Sequence, residues 1–441
     1  MEKSAVLPDN IPVKRSGLSP IVIIGALFFI FGFITWVNGT LIPYLKIACE
    51  LTSDTESYLV ATSFFIAYTV MALPSSWLLK RTGYKKGMAI GLFTMAVGAM
   101  VFIPAAEARS FNMFLAGLFI IGTGLALLQT ASNPYAAILG PHESAARRIS
   151  IMGICNKVAG IFAGLIFGYI ALKDADSFEH NLLSMSADAK EAALDELASR
   201  VVVPYIIISV MLVILAIVVL RSSLPDINDD DQGEQESADP LHRKTSVFQF
   251  RHLLLGVLTL FLYVGVEVMA GDTIISYGKA IGIPLSTARF FTQATLGFML
   301  LGYIIGIAAI PKFISQEKAL QICAISGVIF TVMAVLNTGY VSILFIALLG
   351  LSNSLMWPAI FPLAIKGLGR FTKTASALLI MAIAGGAILP LLYGSISERL
   401  ALSFDKATAS TQAYWIMVPC YLFIWYFAVK GHKIKSDKPS Y

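Results

Sequence analysis

Apolar runs of about twenty to thirty residues recur along the whole chain, and they constrain its fold more than any other feature. About twenty helical residues cross a hydrocarbon core of ~30 Å. Inside lipid every backbone polar group must be satisfied internally, which leaves only helices and closed barrels. Strands would need only about ten residues and would alternate in polarity, so runs this long and continuous are helical. Composition agrees: 57% of the 441 residues are apolar and 13% are charged, with a mean hydropathy of +0.77. A water-soluble domain carries about 25% charged residues. The chain reads as an all-α polytopic membrane protein. Twelve spans are expected at about 19–46, 57–79, 87–106, 111–139, 149–172, 201–221, 252–278, 288–310, 319–337, 340–365, 374–397 and 411–430. The first run follows Lys14-Arg15, is too long for a signal-peptide core and has no small-x-small cleavage site, so it is expected to remain as span 1.

Basic residues set the orientation. With the N-terminus in the cytoplasm, twenty-two Lys and Arg fall on the inner side and nine on the outer, with Lys157 alone inside a span. Both termini are expected to be cytoplasmic. The chain then divides into an N-terminal segment 1–18, a six-helix bundle 19–221, a polar cytoplasmic linker 222–250, a second six-helix bundle 251–430 and a short basic tail 431–441. The external loop 173–200 carries Ser-Ala-Asp-Ala-Lys-Glu-Ala-Ala-Leu-Asp-Glu-Leu, expected as a surface helix whose charges face solvent. A shift of about 224 residues lays Pro134 on Pro358 and Gln129 on Asn353, a weak internal repeat of the kind that builds alternating-access transporters.

Several chemistries are excluded. Cys49, Cys155, Cys323 and Cys420 are scattered and suit apolar packing, not a metal or a disulfide framework. No G-x-x-x-x-G-K-[ST] loop occurs, and the five histidines lack metal-ligand spacing. The net charge of +5 says little about nucleic acid, because the basic residues lie in short loops between spans, and no nucleic-acid partner is expected. No catalytic constellation emerges, and neither cofactor nor metal is expected beyond a coupling H+ or Na+.

The polar residues inside the spans carry the functional signal. Glu267 and Asp272 lie in Tyr263-Val264-Gly265-Val266-Glu267-Val268-Met269-Ala270-Gly271-Asp272 of span 7. A charge at mid-membrane costs about 2.5–3.5 kcal/mol and needs a partner or a wet cavity. Lys157 in span 5 can pair with either carboxylate, stand in for a coupling cation, donate to a substrate, or snorkel to the surface. In span 4, Gln129 and Asn133 stand four residues apart on one helix face, just before Pro134. Asn38, Asn156, Gln293 and Asn353 add uncharged amides on four further spans, each able to donate and accept. Such amides suit a neutral, hydroxyl-rich ligand, and they also serve as helix-to-helix bonds. Trp36 and Trp357 are candidate stacking surfaces for a sugar ring, with Trp357, beside Asn353, preferred.

These motifs, in this order, resemble the fucose–galactose–glucose symporter group of the major facilitator superfamily. The resemblance covers nearly the whole chain. It rests on Asn38-Gly39-Thr40-Leu41-Ile42-Pro43, Pro104-Ala105-Ala106-Glu107, Gln129-Thr130-Ala131-Ser132-Asn133-Pro134-Tyr135, Leu139-Gly140-Pro141, Tyr263-Val264-Gly265, Trp357-Pro358-Ala359-Ile360-Phe361, Ile365-Lys366-Gly367-Leu368-Gly369 and Gly385-Gly386. It implies import of a monosaccharide across the cytoplasmic membrane, driven by a proton or sodium gradient. The fucose branch has an aspartate where this chain has Gly39 and a glutamate where it has Gln129. The glucose/galactose branch, with Gln on helix 4, Asn-Lys on helix 5 and Glu on helix 7, is the nearer. On this reading Asn38, Gln129, Asn133, Asn156, Gln293, Asn353 and Trp357 contact sugar, and Glu267, Asp272 and Lys157 handle the coupling charge. The turn Lys80-Arg81-Thr82-Gly83-Tyr84-Lys85-Lys86 resembles the superfamily's cytoplasmic gate, with Arg81, Gly83 and Lys85 as its parts. The rival readings are N-acetylglucosamine or fucose as the sugar, a drug/proton antiporter, and a non-transporting sugar receptor. A monomer working with sugar and lipid alone is expected.

Overall fold

A computed structural model describes residues 20–138, 145–222, 224, 246–310, 312–368 and 371–434. The N-terminal segment, nearly all of the linker, the Leu139-Gly140-Pro141 motif and residues 435–441 lie outside the described residues, as does the side chain of Asn133. Within them every regular element is helical.

Eleven stretches are long and apolar enough to cross a membrane, and one of them, Leu59–Glu107, holds two passes. Its helix Leu59–Met100 would run about 63 Å if straight, twice the hydrocarbon thickness. It breaks at Gly83, where φ is 74° and ψ 166°. That conformation is open to glycine and costly for any residue with a Cβ. The break makes spans 2 and 3, so the twelve expected passes are present. Span 4 is Phe111–Ile138 and span 5 Ala145–Leu172; span 6 is Val202–Arg221, span 8 Phe291–Ala309 and span 9 Gln316–Leu336.

Several spans are interrupted partway, span 3 at Val101 and span 12 by a tighter turn at Ala413–Ile416 among them. Span 1 is Pro20–Trp36 and Asn38–Ala48, joined at Val37, and span 7 is Arg251–Asp272 followed by Ile274–Ala280. Span 10 is Gly339–Asn353 then Met356–Ile365, and span 11 is Thr372–Met381 then Gly385–Leu400 across one tighter turn. Span 12 ends with Met417–Val429. Broken helices free backbone groups at depth, tolerated only where a cavity or neighbouring protein satisfies them.

Apolar residues are in surplus on the outside as well as the inside. Val203, Ile207, Val210, Met211 and Ile214 of span 6 are all about half exposed, a face that lipid covers and water would not. Helices inside the bundles approach through small residues, as expected where lipid removes the hydrophobic drive to associate. A Cβ on Gly32 of span 1 would lie 1.8 Å from the Asn156 carbonyl oxygen of span 5, and one on Gly385 1.8 Å from that of Phe261 in span 7. Gly32→Ala is expected to push span 5 away and cost about 1–3 kcal/mol. A fall in the melting temperature of detergent-purified protein reads the effect, and an unchanged value would show that the two backbones can separate freely.

The segment 173–200 forms two helices, Ala175–Leu182 and Ala187–Ser199. The second is the expected surface helix, and its Glu191, Asp195 and Glu196 side chains are exposed. Charges of the segment are also paired. Arg109 pairs with Glu191 and with Asp195 at 2.9 Å, and Arg200 with Asp174 at 2.6 Å. Two ties reach the other half of the chain. The carboxylate of Asp176 accepts from the backbone N–H groups of Leu285 at 2.7 Å and Ser286 at 2.9 Å, and Lys279 Nζ donates to Glu179 at 2.6 Å. At the same end Glu398 accepts from Ser53 Oγ at 2.6 Å, Thr55 N at 2.9 Å and Thr55 Oγ1 at 2.6 Å. Asp54 pairs with Lys46 of its own half and, at 3.0 Å, with Lys406 of the other. Sequence pattern reports a residue's own helix and nothing of what packs across from it, so the ties of Asp176 and Glu179 to the other half carried no signal in the sequence.

Candidate functional site

The polar residues of the spans meet where the two halves face each other. Lys157 Nζ donates to Glu267 Oε1 at 2.8 Å, and both side chains are about nine-tenths buried. The snorkelling alternative is therefore set aside: Lys157 points inward, and its partner is Glu267, not Asp272. Its ammonium also lies 4.4 Å from the ring centroid of Trp36. Trp36 Nε1 donates to Asn156 Oδ1 at 3.2 Å, so indole, amide and ammonium form one wall from spans 1 and 5. The opposite wall belongs to span 7, where a Cβ on Gly271 would meet the Trp36 ring at 2.4 Å.

Asp272 closes the helix Arg251–Asp272 and is 1% exposed. Neither of its oxygens has a hydrogen-bond partner. It faces span 1 at Gly39, and it is close enough to Glu267 for the two charges to interact. Asn38 and Thr40, on either side of Gly39, are also buried with unpartnered side-chain polar atoms. Gln293 in span 8 is buried with both amide atoms unpartnered, its Nε2 lying over the bare face of Gly164 in span 5. Unsatisfied buried polar groups each cost about 1–3 kcal/mol, so a concentration of them calls for water, an ion or a ligand to satisfy it.

The remaining amides sit within one half each. Gln129 Nε2 donates to Tyr68 Oη at 3.1 Å in the first. Asn353 Oδ1 accepts from Tyr421 Oη at 2.9 Å in the second, which leaves its Nδ2 without a partner. Tyr421, Tyr263 and Tyr303 all interact with Glu267, which ties Asn353 to the central cluster. Trp357 stacks on Phe361 at 6.0 Å between centroids, so the indole in contact with Lys157 is Trp36. Sequence reasoning did not single out Tyr68, Tyr421, Thr292 or Thr40. A tyrosine or threonine in an apolar run carries no signal of its own, and only its neighbours give it one.

Arg81, Gly83 and Lys85, the residues expected to form a gate, sit at the turn between spans 2 and 3. Lys85 Nζ donates to the Ser222 carbonyl at 2.5 Å, fastening the turn to the end of span 6, and Arg81 stacks on Trp77 at 4.0 Å. Neither touches the central residues.

Comparison with known proteins adds the family. A model of the Major Facilitator Superfamily matches residues 24–390. The chain is 33% identical over 410 residues to a glucose/galactose transporter of Brucella abortus biovar 1 (strain 9-941), covering 92% of each protein. It is 30% identical over 420 residues to an L-fucose-proton symporter of Escherichia coli (strain K12), covering 94% of this chain and 93% of the relative. The crystal structure of the E. coli fucose:proton symporter superposes with a TM-score of 0.71 at 28% identity, covering 94% of this chain and 98% of that one.

Proposed function

We propose, from the premise that this chain belongs to the Major Facilitator Superfamily, that it imports a monosaccharide of the glucose/galactose type across a bacterial inner membrane. Import is coupled to a proton or sodium gradient and proceeds by alternating access of the two halves. The observation that carries this reading is the buried ion pair Lys157–Glu267, joining the two halves in the middle of a set of neutral amides. Asn38, Gln129, Asn133, Asn156, Gln293 and Asn353 offer donors and acceptors to sugar hydroxyls. Trp36 supplies a flat apolar face for the ring, and Trp357 a second one. Glu267, Asp272 and Lys157 handle the coupling charge. The protein works as a transporter without enzymatic chemistry or cofactor, as a monomer, with both termini and the Gly83 turn on the cytoplasmic side. The end bearing residues 173–200 then faces outward, and the ties found there hold that side shut.

Alternating access gives these ties a role. Closing one end strengthens contacts that the opposite state must break, and substrate shifts the balance through its differential affinity for the two states. A panel of radiolabelled hexoses, taken up by a transport-deficient host at several pH values with and without sodium, tests the reading. Accumulation of glucose or galactose that collapses with the ion gradient is expected. Efflux of lipophilic cations without sugar competition would make the chain a drug antiporter, and sugar binding with no uptake would make it a receptor.

A further inference from the structure

The Lys157–Glu267 pair neutralises itself, but Asp272 does not. Asp272 is 1% exposed, and no hydrogen bond reaches either oxygen. The titratable groups that act on it or feel it are Glu267, itself a carboxylate, and Tyr58. It also stands at the C-terminal end of a helix, where the backbone dipole is negative. An isolated carboxylate in such a place is costly and calls for a positive charge.

The geometry beside it shows what kind. The bare face of Gly39 is crowded by three oxygens from spans 7 and 8. A Cβ there would lie 3.1 Å from Thr292 Oγ1, 3.2 Å from Asp272 Oδ1 and 3.3 Å from the Gly271 carbonyl oxygen. Thr292 Oγ1 spends its hydrogen on Gly271 O, a bond of 2.6 Å. It therefore turns lone pairs to its other neighbours. The carboxylate, the hydroxyl and the carbonyl thus present acceptor oxygens, with no N–H among the three. Asn38 and Thr40, next to Gly39 in the chain, are buried with unpartnered Oδ1, Nδ2 and Oγ1 atoms. Two interrupted helices meet here, span 1 restarting at Asn38 and the first helix of span 7 ending at Asp272. Carbonyls at the C-terminal ends of broken helices are the groups that hold coupling ions in secondary transporters.

We infer that Asp272, Thr292 Oγ1 and the Gly271 carbonyl, with Asn38 and Thr40 beside them, form a binding site for a sodium ion, and that this is the coupling ion. A proton on Asp272 would neutralise the charge through one oxygen alone, with Thr292 Oγ1 or the Gly271 carbonyl as its acceptor. A hard monovalent cation instead bridges all the oxygens at once, the ligand type such ions prefer. Since the ligands come from spans 1, 7 and 8, ion binding draws the two halves together, which is the property a coupling site requires. This inference rests on the transporter reading for its purpose, though not for its test.

Binding of radioactive sodium to purified full-length protein is measured at neutral pH without sugar, in potassium or choline chloride. Saturable binding, competed by cold sodium and not by potassium, is expected. Asp272→Asn is expected to abolish it, and Thr292→Ala to weaken it about ten- to hundredfold, the usual scale for disturbing an ion's surroundings. Gly39→Ala places a methyl 3.1–3.3 Å from the three oxygens, so they must shift by a few tenths of an ångström and affinity falls. Gel-filtration profiles identify any variant that misfolds. Absence of sodium binding in the wild type, or binding that survives in folded Asp272→Asn, overturns the site. Sodium binding in a protein that carries no sugar would leave the site standing and remove the proposed transport.

Discussion

Glu267→Gln is expected to leave Lys157 as an uncompensated cation in the middle of the protein and to be the most damaging single change at the site. Removing one partner of a buried ion pair costs about 3–5 kcal/mol, because the survivor keeps its desolvation penalty without its counter-charge. The melting temperature should fall by several degrees, on the order of 5 °C for a chain of this size. Lys157→Ala should cost as much by stranding the carboxylate. The double variant Lys157→Met with Glu267→Met should recover most of the lost stability, since replacing both charges by apolar groups is commonly neutral or stabilising. It should still fail to accumulate sugar. That pattern separates a pair kept for function from one kept for stability. Proteoliposomes give the functional half: Glu267→Gln should lose gradient-driven accumulation while retaining counterflow of labelled sugar. Loss of counterflow to the same degree would place Glu267 on the sugar itself.

Opening of the 173–200 end is the second large effect. Asp176 and Glu398 each hold backbone or hydroxyl donors of the opposite half, and Glu398 alone accepts three hydrogen bonds. Bonds to a charged group contribute about 1.5–3 kcal/mol when buried and less at a half-exposed position. Asp176→Ala with Glu398→Ala should therefore shift the population toward the state open at that end by at least about tenfold. Spin labels at Asp188 and Ser403, one on each half, read the change as a longer distance population. An unaltered distribution would mean that the central contacts alone hold the halves together. Acidification should act the same way, though more weakly. Burial by itself would raise the Asp54 carboxyl, yet the ammonium groups of Lys46 and Lys406 hold it below its ordinary value. Its contribution to closure is thus fully present above the ordinary aspartate range and is lost as pH falls below it.

Much of this molecule was legible before any coordinates. Span number and length follow from hydrophobic runs, and a charge in lipid stands out wherever it falls. Glu267, Asp272 and Lys157 were therefore conspicuous, and all three are buried where the halves meet. Less visible was the division of labour among them. Glu267 and Asp272 are five residues apart on one helix and look equivalent in sequence, yet one is paired and the other is not. Trp357 was the preferred indole in the sequence, and only packing puts Trp36 over Lys157. Gly39 carried no charge to notice. Its importance lies in what it lacks, a Cβ where three oxygens from other spans converge.

The chain by itself determined that twelve helices lie in a membrane and that a few polar residues sit where lipid would reject them. Those properties are sums over neighbouring residues, and a window of twenty contains them. Tertiary structure alone decided which of the buried charges has a partner. Lys157 and Glu267 are separated by 110 positions, and Asp272 faces Gly39 from the other half of the protein. At a few ångströms in a medium of low dielectric, the presence or absence of one counter-charge outweighs every local preference. That is a matter of which helices touch, and no stretch of sequence records it.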